Sequence, residues 1–525
     1  MEQVTQEQNR ALFQWTAVIM LLNLGSRLLG FGREMAIAYS FGATAEVDAY
    51  VVAMLIPTIF YVSVREAVRT VFITVYGRYK DSEHDRHLLL NTVALLLAAV
   101  LIVVFVLAAT FTPQLIRVIA PGFDAGTLET AVYLMRILLP ATVFLGLAGL
   151  FAGYLHSHHR YLAPALVGVP FNLFIIASAL YGAHYLGIEG LAVGSLLGFL
   201  SMFFIQLPAT LRLGLAPRRG LSLQHPGIKQ MGGLLTPVVI STAALELKQL
   251  IDRSFASTLP EGYVAVVNYA ERVFNLPYNI VILALLTVLY PTLVEHYSRG
   301  DTTRFKEDLN LSLRVTAFMM LPMLAGLAVL SEPIIRLVFE RGAFGAGDTA
   351  STAYALVFFS LGLLGLGLRF LLDRAFIVMY DTRTPMLATL FMVALNVVLN
   401  FVLIGPLQQG GIALATSLSL TAGSAVLAVI LHRRMKPLGW LRFFKTLLRS
   451  AAAAAVMAVA LWYLYPLLQE SWSPESFTGQ ALQMALLIGG GGLLYFAITA
   501  LLKAEELWWV LRHTRTMLQG LISRK

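Results

Sequence analysis

Apolar runs long enough to cross a bilayer, roughly 20 residues each, recur along nearly the whole chain and are broken only at polar residues, Gly or Pro. Splitting them at those breaks predicts spans near 11–41, 47–77, 87–111, 129–154, 161–182, 187–211, 228–257, 262–296, 310–331, 349–378, 385–405, 410–432, 446–468 and 480–502. The expected fold class is an all-α polytopic membrane protein with fourteen transmembrane helices. Basic residues gather in every second connection: Arg78, Lys80 and Arg86; Arg160; Arg212, Arg218, Arg219 and Lys229; Arg299, Arg304 and Lys306; Arg383; Arg433, Arg434, Lys436 and Arg442. The other connections hold few, chiefly Arg117, Arg336 and Arg341. Because short cytoplasmic loops carry the excess of Lys and Arg, this alternation puts both termini in the cytoplasm and requires an even number of spans. Beyond the last span, Leu507, Trp508, Leu511, Met517 and Leu521 alternate with basic residues, the pattern of an amphipathic helix lying on the inner leaflet.

Composition sharpens this picture. The 525 residues are 58% hydrophobic and 13% charged, with mean hydropathy +0.75, against about 25% charged in an average soluble protein, which excludes a soluble globular fold. The net charge of +9 sits in short loops and not on a polar face, so nucleic acid is not an expected partner. Cysteine is absent, which removes disulfides, zinc fingers and thiol nucleophiles. A polar stretch from Met1 to Arg10 leads into an apolar run that soon contains Arg27 and Arg33 and lacks a small-residue cleavage site, so a retained first span is expected and not a signal peptide.

An internal repeat is visible at three places. Pro57 in AMLIPTIFY recurs as Pro277 in VFNLPYNIV, Pro164 in RYLAPAL as Pro385 in TRTPMLA, and Gly190 in IEGLAVGS as Gly411 in GGIALATS, at offsets of 220, 221 and 221. The offset covers an even number of spans, so both copies enter from the same side and are related by an axis along the membrane normal. The expected organisation is an N-terminal lobe over 1–212, a C-terminal lobe over 213–432, two appended spans within 433–502 and a cytoplasmic tail over 503–525. Two such lobes suit alternating access, with substrate bound between them near the midplane. An internal duplication also makes a monomer sufficient.

Charge is unevenly placed among the spans. The first carries Arg27, Arg33 and Glu34; the second Asp48, Arg65, Glu66 and Arg69; the seventh Glu246, Lys248, Asp252 and Arg253; the eighth Glu271 and Arg272. Spans 3, 5, 6, 11, 12 and 14 carry essentially none. An ionisable group at mid-membrane costs roughly 2.5 to 3.5 kcal/mol on insertion scales and so faces protein or water. Spacing pairs Lys248 with Asp252 and Glu66 with Arg69, and puts Arg27 and Glu34 on a shared face. Arginines left over present a planar fork that binds phosphate oxygens and stays protonated. A phosphate-bearing substrate is the inference.

The runs SRLLGFGREMAIAYSFGATAEVDAYVVAMLIP, NYAERVFNLPYNIVILALLTVLYPTL, FERGAFGAGDT and DRAFIVMYDTRTP together closely resemble the MurJ (MviN) family of bacterial lipid II flippases, of the multidrug/oligosaccharidyl-lipid/polysaccharide exporter superfamily. The resemblance covers spans 1 to 12 and implies a transporter, not an enzyme, in the bacterial inner membrane. Its implied cargo is undecaprenyl-pyrophosphate-linked disaccharide pentapeptide, moved from the inner to the outer leaflet for peptidoglycan synthesis. Positions that match the family's motifs are Ser26, Arg27, Arg33, Asp48, Glu66 and Arg272, of which Arg27, Arg33 and Arg272 match its cavity arginines. Where many members have an Arg shortly after the span 2 proline, this chain has Tyr61, and Arg65 lies one turn on. In the family, spans 13 and 14 form a groove for the polyprenyl tail.

No Walker A run is present, so energy is expected from an ion gradient, Na+ or H+, or from the membrane potential, worth about 2.3 kcal/mol per charge per 100 mV. Asp252, Asn396, Asn400 and Thr416 supply the hard oxygen donors of a candidate monovalent cation site. Competing readings are a flippase for another polyprenyl-linked oligosaccharide, an exporter of organic cations, which excess arginine disfavours, or a glycosyltransferase using polyprenyl phosphosugars. For the last, the external segments 112–128, 332–348 and 469–479 are short and poor in His and carboxylate pairs. His156, His158 and His159 read as a solvated loop at the inner face.

Overall fold

The computed structural model describes residues 2–79, 81–215, 220–472, 474 and 476–522. Among them there is helix but no strand, as expected where every backbone amide must find its partner inside the segment that crosses lipid. By packing, the chain divides into two compact units, Met1–Ala265 with Arg341–Phe344, and Val266–Glu340 with Gly345–Lys525. This division falls later than the 212/213 boundary expected from the sequence repeat, because it follows which helices pack together and not which segments are alike.

The first unit contains α1 (Glu2–Phe41), α2 (Ala45–Tyr76), α3 (Glu83–Thr110), α4 (Thr112–Ile119), α5 (Ala125–Leu138), α6 (Ala141–Ser157), α7 (Leu162–Leu166), α8 (Gly168–Ala177), α9 (Ala183–Phe204), α10 (Leu207–Arg212) and α11 (Pro226–Ala256). Helix α2 lies against α5, α6 and α11. Its buried Val68, Val71, Phe72, Val75 and Tyr76 meet Leu89 and Leu90 of α3, Leu150 and Tyr154 of α6 and Met231 of α11. The Tyr154 hydroxyl donates to the Leu213 carbonyl at 2.6 Å, which satisfies its one polar atom in an apolar core.

The second unit contains α12 (Tyr263–Ser298), all but its first turn, then α13 (Thr302–Val329), α14 (Ser331–Phe339), α15 (Ala346–Ser360), α16 (Leu363–Val378), α17 (Arg383–Leu407), α18 (Gln409–Arg434), α19 (Trp440–Ser471), α20 (Phe477–Leu501) and α21 (Glu505–Ile522). Phe318 of α13, Ala453, Met457 and Leu461 of α19, and Met484, Leu487 and Tyr495 of α20 form one core. The appended helices are thereby bound to α13. The tail helix α21 is fastened at its start. Arg314 pairs with Glu505 and Glu506, each at 2.9 Å, and the Thr446 hydroxyl donates to Glu506 at 2.7 Å. The Arg314 guanidinium beside Glu505 holds that carboxyl below its ordinary range. Leu507 is buried while Trp508 and Leu511 are exposed; the side chains of Met517 and Leu521 lie outside the described residues.

Seven helices among the described residues are long and apolar enough to cross a membrane, or up to nine if each bent pair counts as one span. The charge-loaded α1, α2, α11 and α12 are not among those seven. The longest of the seven, 162–212, turns back on itself at Gly187, whose φ is 55° and ψ −140°.

The spacing of 220 to 221 residues recurs in the backbone. Left-handed φ values fall at Gly42 and Gly262, at His159 and Tyr380, and at Gly187 and Gln408. The two bent pairs, α5 with α6 at 42° and α15 with α16 at 46°, begin at Ala125 and Ala346.

Candidate substrate site

In the first unit, α8 packs along α1 because Gly168 allows it: a Cβ there would lie 2.0 Å from the Ser26 Oγ. This crossing brings Asn172 of α8 beneath Arg33. Asn172 donates to the Ser26 carbonyl at 3.1 Å and the Gly168 carbonyl at 2.7 Å, and its Oδ1 accepts from the Arg33 Nη1 at 3.3 Å. The Arg33 Nη2 donates to Glu34 at 2.6 Å, and the guanidinium carbon lies 5.3 Å from the centre of the Phe171 ring. Arg33 is thus held in one pose by an ion pair, an amide and a ring face. Arg27, six residues earlier, is exposed. Sequence reasoning missed Asn172; an intramembrane Asn is itself the signal, since such a group seeks a partner on a neighbouring helix.

Asp48 is buried, 3% exposed, and both its oxygens accept backbone amides, from Gly262 at 2.7 Å and Ala265 at 2.7 Å. Its carboxylate fastens the segment entering α12 to the start of α2. The side chains of Tyr61 and Glu66 lie outside the described residues. Arg65 lines a cavity inside the first unit together with Arg69. Lys248 and Asp252 form the ion pair their spacing predicts.

In the second unit, Arg272 on α12 is exposed. The oxygen donors proposed for a cation are divided: Asp252 belongs to the first unit, and Asn396, Asn400 and Thr416 to the second. All four are buried. Asn400 donates to the Asn396 Oδ1 at 3.2 Å and Asn396 to the Thr416 Oγ1 at 3.4 Å, so the three polar residues of α17 and α18 form a chain across the hairpin. Among the described residues no group of three His, Cys, Asp or Glu could hold a metal ion. His158 sits against the Tyr76 and Tyr154 rings and 3.3 Å from the Arg86 Nη2, and burial lowers its pKa.

Sequence reasoning also passed over the charges of span 10. Arg369 is buried in α16, where it donates to the Thr389 hydroxyl at 2.6 Å and the Met392 sulfur at 3.3 Å and lies 3.5 Å from Asp373. Its head fits against Gly423, where a Cβ would lie 2.6 Å from the Nη1. Beside it, an apolar cavity of about 620 Å³ runs between α13, α16, α18 and α19, lined by Leu364, Leu368, Leu372, Phe443, Phe444 and Leu447 among others.

Comparison with known proteins gives a consistent result. The family model described as lipid II flippase MurJ matches residues 37–482. A relative from Burkholderia cenocepacia named lipid II flippase MurJ is 28% identical over 458 residues, 85% of this chain and 89% of the relative. Among solved structures, a lipid II flippase MurJ in an inward closed conformation superposes with a TM-score of 0.80 at 23% identity, over 93% of this chain and 98% of that one. An inward-facing MATE family multidrug resistance transporter of the MOP superfamily superposes with a TM-score of 0.69 at 14% identity, over 80% and 98%. These last two likenesses are of fold.

Proposed function

The chain belongs to the lipid II flippase MurJ family, and from that membership we propose that it moves lipid II, the undecaprenyl-pyrophosphate-linked disaccharide pentapeptide, from the inner to the outer leaflet of the bacterial cytoplasmic membrane. It is a multi-pass membrane transporter and not an enzyme. The observation that carries the reading is the family match over 37–482, which takes in nearly every span.

The finer arrangement follows from that reading. The chain crosses fourteen times with both termini in the cytoplasm. The spans of 1–212 and of 213–432 form two repeat-related lobes; those of 433–502 offer an apolar path for the polyprenyl tail. Isolated pyrophosphate in hydrocarbon is prohibitively costly, so Arg27, Arg33 and Arg272 replace water around it while the lobes rock, with Ser26, Asp48, Tyr61 and Glu66 bordering the same path. The fixed pose of Arg33 supports its place in this set. A monovalent cation, Na+ or H+, couples transport, with Asp252 in the first unit and Asn396, Asn400 and Thr416 in the second as its candidate oxygen donors. The protein works as a monomer among membrane lipids.

The test is depletion of the native flippase in a bacterium carrying this gene, followed by counting lipid II on the outer leaflet. Restored exposure supports the assignment, and its loss in Arg27→Ala, Arg33→Ala or Arg272→Ala supports the arginine roles. Correct insertion without restored exposure refutes lipid II as cargo and leaves another polyprenyl-linked oligosaccharide as the substrate to assay.

A further inference from the structure

The cavity that Arg65 and Arg69 line is built by small residues on α6. A Cβ on Gly149 would lie 2.8 Å from the Arg65 Cα, and one on Gly153 3.3 Å from the Arg69 Cα, so α2 and α6 meet backbone to backbone at these two levels. Four residues apart, the two arginines share a helix face. Both therefore extend past α6, over Ala148 and Ala152, into a space of about 350 Å³ bounded by α1, α2, α6, α7 and α9.

The lining is one-sided in charge. Arg65, Arg69 and His156 face the space, and no Asp or Glu is among the described residues that line it. The floor carries a second polar feature. Gln206, 2% exposed, donates from Nε2 to the carbonyls of Ala148 at 3.2 Å and Met202 at 2.9 Å. Those two bonds fix the amide's orientation and leave its buried Oε1 without a donor. At the rim, Asn23 and Tyr161 are exposed, so the space is reached from outside the helices.

Two guanidinium groups match the oxygens of a phosphate. A buried amide oxygen that lacks a donor asks for an O–H, since an unmet buried acceptor keeps the full cost of its desolvation. We propose that this cavity is a binding site for a phosphate group that carries a hydroxyl, the phosphate on Arg65 and Arg69 and the hydroxyl on the Gln206 Oε1. Hydrogen phosphate meets this description, and so does the glycerol-phosphate head of an anionic phospholipid; a choline phospholipid has the phosphate but no hydroxyl. The site lies wholly inside the first unit, and its test needs no transport.

The experiment uses the purified full chain. In one arm, inorganic phosphate is titrated in detergent by calorimetry. In the other, delipidated protein is offered phosphatidylglycerol or phosphatidylcholine and retained lipid is read by native mass spectrometry. Saturable binding in the first arm identifies free phosphate; preference for phosphatidylglycerol over phosphatidylcholine in the second identifies the lipid head. In whichever arm binds, R65Q/R69Q weakens affinity about tenfold or more, as expected for lost hydrogen bonds to charge, while R78Q, at an exposed position, leaves it unchanged. Gln206→Leu also weakens it and covers the case in which the double arginine variant does not fold. The proposal is overturned if neither arm shows binding, or if binding is the same in folded R65Q/R69Q and Gln206→Leu protein.

Discussion

Replacing Asp48 with Ala separates an anchoring carboxylate from a substrate ligand. In the structure its two oxygens take the amides of Gly262 and Ala265 at 2.7 Å each, more than 200 residues away in sequence. Gly262 itself has φ +85°, and a Cβ there would meet the Ala43 carbonyl at 2.1 Å, so the segment has no slack to find other acceptors. Hydrogen bonds to a charged group contribute about 1.5–3 kcal/mol each; losing both costs about 3–6 kcal/mol, and Asp48→Asn, which keeps one acceptor oxygen, about half of that. Denaturant unfolding in detergent measures the cost, and hydrogen exchange at the amides of Gly262 and Ala265 reports its location. Both amides should exchange faster in Asp48→Ala than in the unaltered chain, and in Asp48→Asn only the one left without the remaining oxygen. Unaltered stability and exchange in Asp48→Ala, together with lost transport, would refute the anchoring argument and return Asp48 to the substrate.

Gln408 adopts φ 49° and ψ −124°, a region nearly reserved for glycine and costing of order 1–3 kcal/mol otherwise, so Gln408→Gly should raise the unfolding midpoint; an unchanged or lower midpoint contradicts the strain. Glu506, 2% exposed, meets Arg314 at 2.9 Å, and breaking such a buried pair costs about 3–5 kcal/mol. Glu506→Gln should accordingly release α21 to protease before the rest of the chain unfolds. Hydrogen bonds from Thr384, together with Arg434, hold the Asp381 carboxyl down at about 2. Its contribution is therefore complete above the unfolded value of about 3.9 and is lost as pH falls through about 2. Stability measured from pH 5 downward should show this acid loss in the unaltered chain and a shallower one in Asp381→Asn.

What the sequence made legible follows the range of the physics involved. Membrane insertion acts on single segments, so apolar runs announced the helices, and the pairing of Lys248 with Asp252 followed from one turn of helix. Contacts between distant segments were not written locally. Nothing near Asp48 names Gly262 as its partner. Which way Arg65 extends depends on Gly149 and Gly153 of another helix. Asn172 and Arg369 differ again: their polarity was visible, and only their partners, Arg33 in one case and Thr389 and Met392 in the other, were not. The family resemblance supplied matches for Arg27, Arg33 and Arg272 but could not do so for Tyr61 or Arg65, where this chain departs from the pattern.

The repeat shows why some residues recur and others need not. Gly190 and Gly411 occupy hairpin crossings where an added Cβ would lie 2.8 Å from the Gly182 carbonyl oxygen and 2.3 Å from the Leu403 carbonyl oxygen. Both positions require the missing side chain, and both are glycine. The turns just before them share one backbone conformation, yet one is Gly187 and the other Gln408. A strained dihedral costs a few kcal/mol at most and packing of the hairpin can offset it, whereas a helix backbone cannot admit an atom at 2.3 Å. What duplicates across the two halves is thus the path of the chain, kept by steric exclusion at the crossings and only loosely by residue type at the turns. By the same logic, His159 and Tyr380 share a left-handed φ shortly before Pro164 and Pro385, near the start of the helical segments that follow, where proline is well tolerated. Of the three sequence coincidences, the glycine pair thus falls where the fold excludes any side chain and Pro164 and Pro385 near the starts of equivalent segments, while Pro57 and Pro277 lie inside α2 and α12.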